Sequence, residues 1–458
     1  VKPQTRTTGR NRTKEPERHR WFDPWLTVKV GTPLQRLTGE AARLIDEEEG
    51  RRGTRKRQRK EIDRRHHRER VATVVINLAY AVLMPPQTAR LALQLGNRVQ
   101  GLTRYDNPAL GAKPMRVLIP LLEDLNCLSL NSSALRGEVS SIAPTTWFAD
   151  KVQEFAVSLA DFGRHKSEEL IILKCKKRIS SERKSVENLG ERVDYRETNK
   201  TRAMRKEVRE LNAFLAKEDI TFLSDGGEPI DPFRRTLVRH FVIHDDQPER
   251  FDQVGRLFGA FWLSLKSERR RNILIRGEPI ATLDYGSMFT RLAYAHLGIE
   301  APAGDLYAIE GAEGFRSGIK MAMNVFLFDR ASRRASWPAT MGVGAGNDQD
   351  ALDPTSRAAT FEARLPAGWT VGGAKKAISR RHPQLATAWG KGLGLGLMFM
   401  ESRILIAVLN ELKAQDIPAL GLHDGLMVQR SKKDVAREAM ERIARKLSGA
   451  TIPVSEKT

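Results

Sequence analysis

Residues 277–298, GEPIATLDYGSMFTRLAYAHLG, change periodicity in mid-course. Pro279 to Leu283 reads as a short buried strand, and Phe289, Leu292, Ala293 and Leu297 then recur at helical spacing. Asp284 stands at the junction. A carboxylate at the end of a buried strand is held rigidly, which suits a metal ligand; standing alone, it would serve as readily as a helix N-cap. Which of the two it is depends on what the rest of the chain brings to it.

Three other segments bear on this. In IPALGLHDGLMVQRS (417–431), Ala419 to Leu422 and Leu426 to Val428 read as two short strands about the turn His423-Asp424-Gly425. An Asp-Gly turn is common, but this one holds a second carboxylate at a tight bend, where it would face Asp284 from an adjacent strand. In GFRSGIKMAMNVFLFD (314–329), Arg316, Lys320, Asn324 and Phe328 are spaced by four and fall on one helix face. Two cations and an aromatic in a row can grip a triphosphate and stack a base. FDQVGRLFGAFW (251–262) contains Gly255-Arg256, a close-approach glycine followed by a guanidinium able to fork onto a phosphate.

The composition narrows the partner. The chain has 458 residues, 77 Lys+Arg against 56 Asp+Glu, and a net charge of +21. That excess points to a polyanion, nucleic acid or an acidic surface. Residues 1–70 carry 21 Lys+Arg and 11 Asp+Glu, a net of +10. The densest run, RRGTRKRQRKEIDRRHHRER (51–70), is nearly free of apolar residues; it reads as a solvated tail or a single basic helix, or as an arm that tracks phosphates, and residues 1–70 as a whole read as a basic, disordered arm. Two Cys, Cys127 and Cys175, exclude a disulfide framework and a Cys-based zinc site. His240 and His244 lie in β-like sequence without a third ligand, so no zinc site is read there. The longest apolar run, Val71 to Met84, is shorter than the roughly 20 residues a membrane helix needs.

Four domains follow: the arm 1–70, a helical module 71–150, a charged helical or thumb-like connector 151–240, and a catalytic domain 241–458. Within 71–150, ATVVINLAYAVLM (72–84) and PPQTARLALQLGNRV (85–99) read as helices. A further helix near Pro114 to Leu125 precedes two short strands about Asn131-Ser132-Ser133, an order similar to a winged helix. In the connector, Met204, Val208, Leu211 and Leu215 mark one helix face. SDGGEPIDP (224–232) reads as a boundary loop, and GVGAGNDQDALDPT (342–355) as a loop.

In their joint order the chemical segments resemble the palm and fingers of family A DNA polymerases and phage-type single-subunit RNA polymerases. LDYGSMFTRLAYAHLG (283–298) is similar to their motif A, RSGIKMAMNVFLF (316–328) to motif B, LHDGLMVQ (422–429) to motif C, and DQVGR (252–256) to the DxxGR or TGR element. Residues 389–412 resemble the palm helix that runs into motif C. Residues 432–457 resemble the closing helix and strand, with Val435, Ala439, Ile443 and Leu447 inward. The resemblance covers less than half of the chain. It implies an α/β (α+β) fold with a right-hand palm and fingers from about residue 241, preceded by the helical, winged-helix-like module and the arm.

What the resemblance implies chemically is a template-directed nucleotidyltransferase, a compact DNA-dependent DNA polymerase. Asp284 and Asp424 would hold two Mg²⁺ ions, with Mn²⁺ as a substitute. Lys320 would balance the triphosphate and protonate the leaving group. Arg316 would hold the outer phosphates, Phe328 would pack under the templating pair, and Tyr285 and Phe289 would border the substrate. Arg256 would touch the primer or template backbone, His423 the primer end, and Lys375, Lys376, Arg380 and Arg381 the template. The implied partners are a DNA primer–template, or an RNA product, and nucleoside triphosphates, without a membrane. The implied location is the cytoplasm at the nucleoid, with an organelle as the second choice.

Four positions depart from the family pattern. Phe289 stands where the DNA enzymes have a sugar-excluding Glu, Phe328 where Tyr is usual, Gly286 where Ser is typical, and Gly425 where motif C has Glu or Ser. Two alternatives therefore stand beside DNA synthesis. One is a single-subunit RNA polymerase or primase-like enzyme; the other is a non-catalytic DNA-binding replication or maintenance protein on a degenerate palm.

Overall fold

The computed structural model describes residues 20–53, 58–86, 88–95, 102–132, 139–176, 190–244, 247–330, 337 and 364–457. The expected loop 342–355 and residues 1–19 of the expected arm lie outside them. The chain is a mixed α/β protein in two compact units, Val1–Glu168 and Glu169–Thr458. Among the described residues, no helix is long and apolar enough to cross a membrane.

The first unit corrects the reading of residues 1–70 as an arm over the described residues 20–53 and 58–70. Helices α1 (Pro33–Arg52) and α2 (Glu61–Leu83) pack together, with Leu34, Leu37, Ala41 and Ile45 buried in one core with Val71, Val74, Val75 and Leu78. Pro33 opens α1, and Gly53, at φ 57°, closes it. Several of the charges that made this stretch look unfoldable are paired. Arg43 bridges Glu40 and Glu47, Arg51 and Arg52 meet Glu48, and Arg59 meets Glu49. The Arg43, Arg51 and Arg52 pairs, at i,i+3 and i,i+4 spacing, support a helix rather than a tail.

Helices α3 (Ala112–Asp124) and α4 (Thr146–Glu154) complete the layer, beside a sheet ordered β1 (Arg20–Trp21), β3 (Leu91–Ala92), β5 (Ser141–Pro144), β4 (Leu128–Asn131). Strands β2 (Leu26–Val28) and β6 (Phe162–Arg164) form a separate pair. The helix expected over 85–99 is absent among the described residues, because Leu91-Ala92 pairs with β1 and β5 instead. Beta-sheet burial of an apolar pair here overrides the helical spacing. The expected pair of strands after α3 forms, as β4 and β5.

The second unit begins at Glu169, so the expected boundary at 224–232 is corrected. That loop leaves β9 (Ile220–Phe222), which pairs with β12 (Ile273–Ile275) inside the unit. One sheet runs β11 (Val254–Phe258), β10 (Val238–His244), β7 (Ile171–Lys176), β8 (Glu191–Arg192). The other runs β14 (Ala419–Gly421), β15 (Gly425–Gln429), β13 (Glu278–Tyr285), β12, β9, with β16 (Val454–Lys457) also on β13. Strand β13 is central: β15 lies along one edge, while β12 and then β16 share the other.

Eight helices complete the described part of this unit: α5 (Asn199–Leu215), α6 (Ser267–Arg270), α7 (Met288–His296), α8 (Arg316–Phe328), α9 (Val371–Arg381), α10 (Pro383–Ala386), α11 (Gly394–Ala414) and α12 (Lys433–Ser448). The inward face of α12 is Ala436, Ala439, Met440, Ile443 and Ala444, and Val435 is exposed, which shifts the expected face by part of a turn. Trp262 is fully buried and donates through Nε1 to the Gly421 carbonyl at 3.0 Å, tying the segment after β11 to β14.

If α1 is core rather than arm, Ile45→Ala should cost about 2–4 kcal/mol in chemical denaturation and open α1 to limited proteolysis. An unchanged midpoint would restore the arm.

Candidate active site

Strand alternation decides which side chains reach the site. In β13, Leu283 and Tyr285 turn inward, while Thr282 and Asp284 take the other face. Tyr285 is therefore corrected from a substrate contact to a core residue. It is 5% exposed and donates to the Met440 carbonyl at 2.8 Å. Immediately after it, Gly286 N–H bonds to the Pro453 carbonyl at 2.8 Å, and Ser287 turns the chain into α7 at φ 54°.

Asp284, at the end of β13, comes together with Asp424, in the turn that leads into the adjacent antiparallel strand β15. Asp284 lies opposite Gly425, and the Tyr285 N–H bonds to the Asp424 carbonyl at 3.0 Å. Gly425 has a geometric reason: a Cβ there would lie 2.2 Å from the Leu283 carbonyl oxygen and 3.0 Å from Asp284 Oδ1. The residue that departs from the family pattern is the one that lets the first carboxylate lie against the second strand. Burial first, and then the charge of Asp424, push the Asp284 carboxyl up to about 6, while Lys457 and Lys320 oppose them. Lys457 Nζ is 3.0 Å from Asp284 Oδ2. Two carboxylates that repel in a half-buried cleft, with oxygen donors only, fit a hard divalent cation such as Mg²⁺.

Beside them lies an ion pair that the sequence reading missed. Arg256 Nε and Nη2 donate to Glu401 Oε1 and Oε2 at 2.8 and 3.0 Å. Arg256 is 8% and Glu401 1% exposed. The expected contact of Arg256 with a nucleic-acid backbone is corrected, since its fork is spent on Glu401. Burial pushes the Glu401 carboxyl up, the guanidinium pulls it down, and the nearby Asp424 charge adds to the rise. A β-bulge aims Arg256 there: the register of β10 on β11 shifts between His240 and Phe241, and Val254 and Gly255 both have φ 67°. For a β-branched residue that backbone is strained. The Gly255 carbonyl accepts from Arg239 Nε at 2.8 Å and from the Ser402 hydroxyl, so the bulge is locked from two sides. The signal for Glu401 was present: it sits among the inward positions Leu397, Met398, Ile404 and Leu405 of an apolar helix.

His423 is pushed down to about 3, by burial first and then by the Arg256 charge, so its ring is neutral near neutral pH. Its ring lies 5.4 Å from that of Phe258, and its Nε2 has no hydrogen-bond partner. Phe289 and Phe328 stack at 5.8 Å with 18° between planes, so two of the departures from the family pattern touch each other. Phe328 lies over Gly394, where a Cβ would come within 2.4 Å of its ring. On α8, Lys320 is exposed, and Arg316 is forked onto Asp305 at 2.7 and 3.1 Å. Gly318, one turn in, admits the chain at Arg364, whose carbonyl would be 1.7 Å from a Cβ. On α9, Lys376, Arg380 and Arg381 are exposed and Lys375 is half-buried, opposite the inward Val371, Ala374 and Ile378.

No family model matches the chain, and no curated protein matches it. Among solved structures, a polymerase domain described as "POL domain of Pol1 from M. smegmatis complex with DNA primer-template and dNTP" is 10% identical, over 94% of this chain and 67% of that one, with a TM-score of 0.24. A likeness at that score is too weak to carry a fold or a function.

Two outcomes test this geometry. A raised carboxyl favours the native state fully below its unfolded value of 3.8, and that increment is lost as pH rises through about 6. Without divalent ions, Asp284→Asn should therefore raise stability by about 1–2 kcal/mol at about pH 7.5, and by nothing at about pH 3.5. A loss at the higher pH would contradict a repelling pair. Arg256→Ala should cost about 3–5 kcal/mol by stranding a buried carboxylate, and Arg256→Lys, which lacks the fork, should recover only part of it in the same unfolding assay.

Proposed function

We propose that this chain is a template-directed nucleotidyltransferase that extends a primer with nucleoside triphosphates, with deoxynucleotides as the first substrate to test. The observation that carries the proposal is the meeting of Asp284 on β13 with Asp424 in the turn before β15, with Lys320 in Coulombic reach of Asp284. In this reading the two carboxylates hold two Mg²⁺ ions. Bound there, such ions would supply charge neutralisation for the triphosphate and acidify the primer hydroxyl.

The chain's own groups would do the rest. The primer 3′-hydroxyl would release its proton to solvent as its oxygen bonds to the α-phosphorus and the bond to pyrophosphate breaks, and Lys320 would give its proton to the leaving group. Arg316 exchanges Asp305 for the outer phosphates, a step its exposure allows. Phe328, stacked on Phe289, offers an apolar platform to the incoming base pair. That Phe–Phe pair has no hydrogen-bonding group, so it would read the sugar by shape alone. His423, with a neutral ring, would border the primer end, and the exposed cations of α9 would meet template phosphates.

The test is primer extension on a primed DNA template with Mg²⁺ and, separately, dNTPs or NTPs. Wild type should extend with one set. Asp284→Ala and Asp424→Ala should each lower turnover by more than about 10³-fold, and Lys320→Ala by about 10²–10³-fold, with template binding kept. Incorporation of NTPs alone would make the chain an RNA-synthesising enzyme. If neither set is incorporated while Asp284→Ala binds DNA as wild type does, the chain is a DNA-binding protein on the same scaffold.

A further inference from the structure

Strand β16 brings to the carboxylate pair an ammonium group that the chemistry above leaves unused. Lys457 lies opposite Thr282 in the β13–β16 register, so its side chain shares the face of Asp284 and reaches it one diagonal step away. Its Nζ is 3.0 Å from Asp284 Oδ2, whereas Oδ1 of the same carboxylate lies on the Gly425 side, toward Asp424. The strand that carries it is fixed. Gly286 N–H bonds to Pro453, Val454 N–H bonds to Glu441 at 3.2 Å, and Lys433 pairs with Glu456 at 3.0 Å on the opposite face. The side chain itself is 60% exposed, so the ammonium can leave without disturbing β16.

A half-buried carboxylate pair without a cation is unstable against its own repulsion. Lys457 is the ammonium in contact with it, while Lys320 acts from α8 without a direct bond. We propose that Lys457 is the resident counter-ion of the Asp284–Asp424 pair and competes with divalent cations for Asp284, so that cation binding expels the ammonium. The proposal rests on the two-carboxylate metal site and adds a tunable affinity to it. The strand sets where the competitor stands, and the flexible side chain sets how easily it yields. Expelled, the ammonium stays within a side chain's length of the site, where it can face an anion that arrives with the cation.

The experiment is an Mn²⁺ titration of the full chain, followed by electron paramagnetic resonance, for wild type, Lys457→Met, Lys433→Met and Asp284→Asn. The second readout is acetylation of Lys457 by an amine reagent, read by mass spectrometry with and without saturating Mn²⁺. Lys457→Met should bind Mn²⁺ about 3- to 10-fold tighter, since a competing ion pair of ordinary strength is gone. Lys433→Met, which removes the same charge from the other face, should bind as wild type does, and Mn²⁺ should increase the acetylation of Lys457. Binding that is lost in Asp284→Asn but equal in Lys457→Met and wild type overturns this inference alone. Equal tightening in both lysine variants, or acetylation unchanged by Mn²⁺, does so as well. No binding by wild type overturns the metal site and the inference together.

Discussion

Two carboxylates held side by side, one on a strand and one in the turn next to it, repel each other, and the second unit is arranged around that repulsion. A central strand with partners on both edges supplies the rigidity. The turn into β15 presents Asp424 beside Asp284, and β16 brings a cation to the other side. Gly425 and Gly286 are small because backbone passes within contact distance of both. None of these choices stabilises the chain by itself. Together they keep a charge pair that costs stability at neutral pH, the usual mark of a site retained for what it binds.

A second constraint lies behind the first. The fork of Arg256 on Glu401 places a positive and a negative charge in the interior beside the cleft. Its field reaches the two aspartates and the His423 ring. Its position depends on a strained Val254-Gly255 bulge that Arg239 and Ser402 hold in place. The apolar side of the same cleft is Phe289 on Phe328, packed over Gly394. Polar and apolar groups thus meet on shared elements: Phe289 and Phe328 pack with Val254 of β11 and with Met398 and Gly394 of α11, and the Arg256 guanidinium lies over the Phe289 ring.

Much of this was legible locally. The strand-to-helix switch at Asp284, the His-Asp-Gly hairpin and the helix carrying Arg316, Lys320 and Phe328 each follow from periodicity over a few residues, and the structure has them. What escaped was non-local. That Tyr285 points inward depends on what α12 offers it, and that Arg256 serves Glu401 depends on a helix almost 150 residues away in sequence. Lys457 acquires meaning only through its register on β13. In the first unit the error was of another kind. Residues 33–70 look like a charged tail because charge density hides a sparse apolar stripe, and only the paired Arg and Glu along α1 show that the same residues can fold.

The Arg256–Glu401 fork also bears on descent. Losing either partner alone strands a charge in the interior, at a cost comparable to a large part of a domain's stability. Chains descended from this one would therefore tend to keep both residues or replace both, passing quickly through any single-change intermediate. Two positions far apart in the sequence would then drift as one character, and their joint substitution would trace this cleft through a lineage even where the surrounding sequence had diverged past alignment.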